Sequence, residues 1–397
     1  MKLLIIITFI LNSCWSFVNA SSEQVERPSK KWTFLVFVNG DNDLDEYAWG
    51  DLVEAKRSGS TEDVNIIFQI DRSDGRPCRR FYIEKENAVL IENMGEVDMG
   101  DYQVLTQFFQ WGMQNYPAEK YALIIWNHGT GWVKTREVSM LGISYDDQSG
   151  NYITTAQLEL AMTEISQSLG RKLDLLVFDA CLMQMLEIAW PLRQTVDVMV
   201  GSEEVVPYDG FDYHGGFIPV LQNPDGSAEQ IADSLTRQFD QSYADGSQGR
   251  EPTTISWLKL EKVTDLVTSL NDYAEVAINQ ENQLINNLLK EVQHFDLRSN
   301  RDLRHLMTLV WQRSTNEAIK AAAQTVLTAI DRVIGLSLYN TGKSSWQPDL
   351  TNANGLAIYF PSTASAFSDE YLKLRFAQDN LWDEYIRAHL NSINESW

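Results

Sequence analysis

The sequence predicts an α/β protein: a mostly parallel central sheet with helices on both faces and a closely packed helical C-terminal part. Three observations carry this. Short apolar runs rich in β-branched and aromatic residues occur at 32–38, 64–70, 121–126, 173–178 and 196–200, and a short run apolar on both faces fits a strand buried on both faces. Helical patterns lie between them, at 102–116 and 154–169, which is the alternation that builds parallel sheets. No repeat period and no low-complexity tract interrupts the 397 residues, which argues against solenoids and disordered scaffolds.

The elements follow in chain order. Lys2 supplies a positive start, 3–11 is an unbroken apolar run, and Val18-Asn19-Ala20 offers the small-x-small pattern that a signal peptidase accepts. Residues 1–20 are therefore expected to be a signal peptide, which places the protein in a secreted or extracytoplasmic compartment. The run is too short for a stable membrane anchor, and no transmembrane span is expected in the mature chain. Leu11-Asn12-Ser13-Cys14 offers a second reading, a lipoprotein box with a lipid anchor on Cys14. Residues 21–30 are polar and read as a linker. Residues 31–250 carry the strand–helix alternation and form the expected core, with Thr154 and Thr155 placed to cap the helix that begins Ala156-Gln157. Over 251–397 the pattern loosens. A strand is expected at 253–260, mainly helix at 261–331, strands at 333–339 and 355–360, and a last helix at about 369–390. No composition break separates this region from the core.

Composition narrows the function. Lys+Arg number 32 against 55 Asp+Glu, for a net charge of -23, which argues against nucleic acid, whose phosphates need basic patches. The acidity serves solubility, and its field also favours basic polypeptides as partners. Beyond Cys14 only Cys78 and Cys181 remain. Two cysteines do not make a disulfide scaffold; they either pair or leave a working thiol. Nothing in the sequence fixes an oligomeric state.

In parallel sheets, functional groups gather at the carboxyl ends of strands. The run 121–126 is followed by Asn127-His128-Gly129-Thr130-Gly131, and 173–178 by Asp179-Ala180-Cys181. If these strands are neighbours, His128 and Cys181 emerge side by side as base and nucleophile. The apolar spacing over 182–192 predicts a helix starting at or near Cys181, whose dipole would favour the thiolate. The backbone N–H groups of Gly129 and Cys181 would supply an oxyanion hole. Common alternatives are missing: there is no zinc-ligand spacing, no Gly-x-Ser-x-Gly elbow and no P-loop. Asp41-Asn42-Asp43-Leu44-Asp45-Glu46 starts like a calcium loop but lacks Gly at its sixth position and has Leu52 at its twelfth. It is read as a strand-end cluster capping the next helix.

The segments Leu123-Ile124-Ile125-Trp126-Asn127-His128-Gly129 and Leu175-Leu176-Val177-Phe178-Asp179-Ala180-Cys181 resemble the caspase-like clan of cysteine peptidases, and the clostripain family within it. Supporting segments are Asn39-Gly40-Asp41-Asn42-Asp43-Leu44, Gly201-Ser202-Glu203-Glu204, Asp209-Gly210-Phe211 and Gly355-Leu356-Ala357-Ile358-Tyr359-Phe360-Pro361. The resemblance covers about 31–390. It implies a caspase-like α/β/α sandwich and cleavage of polypeptides after Arg or Lys. His128 matches the family's catalytic histidine, Cys181 its nucleophile, and Asp179 an acidic residue at the primary specificity pocket. Asp209 falls in a loop that would add a second acid there. No cofactor is expected, and calcium, which assists some relatives, is the one ion the resemblance admits. Some relatives are activated by clipping between the two reactive strands, where Lys134 and Arg136 lie. No third residue orienting His128 can be assigned. Two rivals stay open: an inactive binding protein on the same fold, and a cysteine peptidase with Asn or Asp specificity.

Overall fold

Strand β1 (Lys30–Gly40) is buried from Trp32 onward, and its side chains alternate between two apolar clusters. Trp32, Phe34, Val36 and Val38 enter one, Leu35 and Phe37 the other. Each fully buried Phe or Leu contributes about 1.5–3 kcal/mol, so a strand apolar on both sides requires helices on both sides. The computed structural model describes residues 28–73, 75–132, 142–343 and 347–394. The expected signal peptide, Cys14, Lys134 and Arg136 lie outside the described residues.

The other strands of the central sheet are β2 (Val64–Arg72), β3 (Cys78–Glu84), β4 (Asn87–Gly95), β5 (Ala118–Trp126), β6 (Leu173–Asp179), β7 (Val196–Gly201), β8 (Thr253–Lys259) and β9 (Ile334–Asn340). Their order is β9-β8-β7-β6-β5-β1-β2-β3-β4 in one nine-stranded sheet. The central run from β7 to β2 is parallel throughout. Antiparallel pairs finish both edges. Because β8 and β9 complete the sheet, a division at residue 250 falls inside one sheet.

On one face lie α1 (Asp45–Ser58), then, later in the chain, helices at Tyr213–Gln222 and Ala228–Tyr243. On the other lie α2 (Tyr102–Asn115) and α3 (Thr155–Leu169). The C-terminal helices Val263–Ala277, Leu303–Arg313, Glu317–Val333 and Trp382–Asn394 thicken that second layer. Thr154 caps α3 as expected: its hydroxyl accepts from Gln157 N–H at 3.2 Å while the Gln157 side chain accepts from Thr154 N–H at 2.9 Å. Among the described residues no helix is long and apolar enough to cross a membrane.

The β3–β4 hairpin buries Arg80, held by Gln69 at 2.8 Å and Glu92 at 2.9 Å and stacked 4.3 Å from the Trp111 ring. Two sequence expectations are corrected. The last helix is broken. Asn380 closes Arg375–Asp379 by bonding Phe376 O, and opens the next helix by accepting from Trp382 N–H at 2.9 Å. The run at 355–360 forms only a short strand, Ala357–Tyr359, which pairs with Asn300–Asp302 outside the main sheet.

Candidate active site

Strands β5 and β6 are parallel neighbours with Trp126 opposite Asp179. His128 and Cys181 each lie two residues beyond that pair, so the register alone delivers them to one edge. They line the same cleft of about 220 Å³ with Trp126, Val206, Pro207 and Tyr208. No hydrogen bond joins the two among the described residues. His128 turns its Nε2 to Asp43 Oδ1 at 2.6 Å. Cys181 Sγ accepts from Val206 N–H at 3.3 Å.

The two loops pack tightly. A β-carbon on Gly129 would meet the Cys181 carbonyl oxygen at 2.5 Å and Ala180 Cβ at 3.1 Å, so only glycine lets the His128 loop lie against the Cys181 turn.

The expected helix start at Cys181 is a correction. Leu182 has φ +62°, and the helix is only Leu186–Leu192 with Met185 as its N-cap. Backbone pairing outside the segment wins over its helical pattern: Leu182 N–H donates to Glu204 O at 3.2 Å, Gln184 N–H to Ser202 O at 3.0 Å, and Ala357 N–H to Gln184 O at 3.0 Å. Cys181 therefore gains no helix dipole. Burial pushes its thiol up to about 11, helped by the charges of Glu204 and Asp179 and opposed by the Val206 and Gly129 N–H groups. Cys78 is buried in β3, and both cysteines are free.

Asp179 lies at the floor of the cleft, buried, accepting from Phe211 N–H at 3.2 Å and from the Tyr213 hydroxyl at 3.1 Å. Behind it, Asp51 accepts from Trp126 Nε1–H at 2.6 Å, and Glu54 accepts from Tyr213 N–H at 3.1 Å. Burial is the first cause that raises all three carboxyls: Asp179 and Asp51 move well above the usual range, and Glu54 to about 7. The charged neighbours acting on Asp51 and Asp179 are themselves carboxylates, while the Arg57 cation acts on Glu54. Asp51 was missed in the sequence, although it interrupts the buried stripe Ala48, Leu52 and Ala55 of α1. Asp209 is exposed, and its carbonyl accepts from Gln248 Nε2–H at 2.7 Å. It is the next residue, Gly210, that lines the cleft.

The acidic cluster at 41–46 does not cap α1 through a carboxylate; its N-cap is Leu44, with no side-chain bond. Asn42 folds the turn by accepting from Leu44 N–H at 2.9 Å, and Asp45 pairs with Arg72 at 2.8 and 2.7 Å. Among the described residues no group of three His, Cys, Asp or Glu side chains is arranged to hold a metal.

A model of the clostripain family matches residues 36–397. Clostripain from Hathewaya histolytica is 28% identical over 319 residues, which cover 66% of this chain and 59% of that protein's own length. In fold the chain is similar to a secreted C11 cysteine protease from Bacteroides thetaiotaomicron in complex with an irreversible peptide inhibitor, with TM-score 0.67 and 19% identity over 91% of this chain and 99% of that one. It is equally similar to an inactive zymogen C11 protease from Parabacteroides distasonis, with TM-score 0.68 and 18% identity over 90% and 99%. These likenesses show the fold, and the caspase-like α/β/α sandwich expected from the sequence is the one the chain adopts. With its family model matching nearly the whole described length, the chain belongs to the clostripain family.

Proposed function

We propose that the protein is a secreted cysteine endopeptidase that cleaves polypeptides after Arg or Lys. The observation that carries the specificity is Asp179, a buried carboxylate on the floor of the cleft that also holds Cys181, with the carboxylates of Asp51 and Glu54 behind it. A guanidinium or ammonium entering there supplies a counter-charge to Asp179 through charge-assisted hydrogen bonds. A substrate Asp would add a further anion.

In the reaction, His128 takes the thiol proton and Cys181 Sγ attacks the scissile carbonyl carbon. The N–H groups of Gly129 and Cys181 stabilise the tetrahedral oxyanion. His128 passes its proton to the leaving amine as the C–N bond breaks, leaving an acyl-enzyme. It then takes a proton from water, whose attack on the thioester releases the acid and restores the thiol. The raised thiol is consistent with this order, since the nucleophile needs a base at the moment of attack. Export would follow from the signal at 1–20, whose removal exposes Ser21; a lipidated Cys14 in the mature protein would replace secretion with a membrane tether.

The test is hydrolysis of short fluorogenic peptides ending in Arg, Lys, Asn or Asp by wild-type protein and by Cys181→Ala. Turnover of Arg or Lys peptides that vanishes in the variant supports the proposal. Turnover of Asn or Asp peptides alone overturns the specificity and keeps the thiol mechanism. No turnover of any peptide overturns the enzymatic reading.

A further inference from the structure

We propose that Asp43 is a positioning residue for His128: its carboxylate holds the ring through Nε2, so that Nδ1 is the nitrogen that serves Cys181 and the leaving amine. This rests on the roles proposed above for His128 and Cys181. The contact itself is short, 2.6 Å from His128 Nε2 to Asp43 Oδ1, below the roughly 2.7–2.9 Å of charge-assisted N–H···O bonds.

Two exposed side chains that meet at a surface are ordinarily worth little, and both are accessible here, at 36% for His128 and 64% for Asp43. What distinguishes this pair is the ground beneath it. Asn42, just before Asp43, donates to Tyr145 O at 2.8 Å and accepts from Leu44 N–H at 2.9 Å. Asn127, just before His128, accepts from Tyr145 N–H at 2.6 Å and donates to Asn39 O at 2.5 Å. All of these groups are buried. The loop after β1 and the loop after β5 are thus laced together through Tyr145, and the backbones that carry Asp43 and His128 are fixed relative to each other. The pair is therefore preset by a buried network rather than by two free side chains finding each other.

An imidazole bound at one nitrogen is held in one tautomer and one orientation, which is what an acid–base group needs when it serves a thiol in one step and a leaving amine in the next. Asp43 lies beside the ring and outside the lining of the cleft, so its effect falls on turnover and not on substrate affinity.

The experiment compares wild type, Asp43→Ala and Asp43→Asn on an Arg peptide, with Cys181→Ala as the control for the parent reaction. The proposal expects kcat to fall about 10–100-fold in Asp43→Ala with KM within about twofold, and Asp43→Asn to recover most of the loss, because its amide oxygen still accepts from the ring. Unchanged kcat in Asp43→Ala, a loss confined to KM, or a gain in activity would each overturn it; the last would mean that Asp43 draws His128 away from the thiol. A readout independent of turnover is the His128 tautomer in long-range 1H–15N spectra. A locked Nε2–H form in wild type that becomes mixed in Asp43→Ala supports the positioning role even where the peptidase reading fails. A mixed tautomer in wild type overturns it even where peptides are cleaved.

Discussion

A β-carbon on Gly210 would lie 2.9 Å from each carboxylate oxygen of Asp179. Nothing separates the loop backbone from that carboxylate, and Gly210 also has φ +55°, where a β-carbon is strained. Gly210→Ala is therefore expected to push against Asp179 and close the charged end of the cleft. The expected result is a rise of about tenfold or more in KM for Arg peptides, equivalent to about 1.4 kcal/mol or more of binding, and a lower Tm. An unchanged KM would remove Asp179 from the substrate pocket.

Asp179→Asn should separate binding from stability. Losing one partner of a buried charge pair costs about 3–5 kcal/mol, so kcat/KM for Arg and Lys peptides is expected to fall about 100-fold or more. Stability should move the other way. Burial raises the Asp179 carboxyl in the folded state, so the folded protein binds this proton more tightly than the unfolded chain. Its contribution is present below the unfolded value near 3.8 and is lost as pH rises through the folded value. The neutral amide escapes that loss, and Tm at pH 8 should be equal to or above that of wild type. A variant less stable at pH 8 and fully active would contradict both halves.

The reactive strand ends were legible because they depend on short-range pattern. Apolar runs at 121–126 and 173–178 read as buried strands in a covered sheet, and their parallel register as neighbours brings His128 and Cys181 to one edge. The rest depends on contacts far apart in sequence. Asp43 meets His128 across 85 positions, and the Trp126 bond to Asp51 spans 75; neither partner marks the other in a single sequence. The segment after Cys181 misled for a physical reason. Its leucines and methionines fit a helix, but its backbone groups are taken by Ser202, Glu204 and Ala357, so tertiary pairing overrides local propensity. Asp51 was the one clue available and unused, an acid on the buried side of α1.

Glu203 and Asp302 give a second pH dependence, away from the cleft. Both are buried, and each is raised by burial. Glu203 accepts from Gly355 N–H at 2.8 Å, and Asp302 from His305 N–H at 2.5 Å and Asn354 Nδ2–H at 3.0 Å. The charge of Asp302 also raises Glu203. Because folded values lie above unfolded ones, this pair favours folding at low pH, and that advantage fades as pH rises above the unfolded Glu value of 4.5. Glu203→Gln does not titrate. Its Tm should decline less than that of wild type between about pH 6 and pH 9, as read by scanning fluorimetry. Parallel Tm profiles would show that the pair does not titrate on unfolding.

The state of the Cys181 thiol is open to a direct measurement that needs no substrate. Cysteine peptidases in which the thiol is already ionised against a histidine react quickly with iodoacetamide near neutral pH, since the thiolate is the nucleophile. Here burial pushes the thiol up to about 11, and no hydrogen bond joins it to His128, whose Nε2 is on Asp43. Alkylation of Cys181 should therefore be slow at pH 7 and climb steadily through pH 8–10, with no plateau near pH 6. His128→Ala should leave that profile nearly unchanged in the free enzyme while abolishing peptide turnover, because the histidine acts on the thiol only when substrate fills the cleft. Cys78 is buried and pushed up further still, so it adds no signal in the folded protein. A fast, pH-independent reaction of Cys181 between pH 6 and pH 8 would mean that the ion pair forms before substrate arrives.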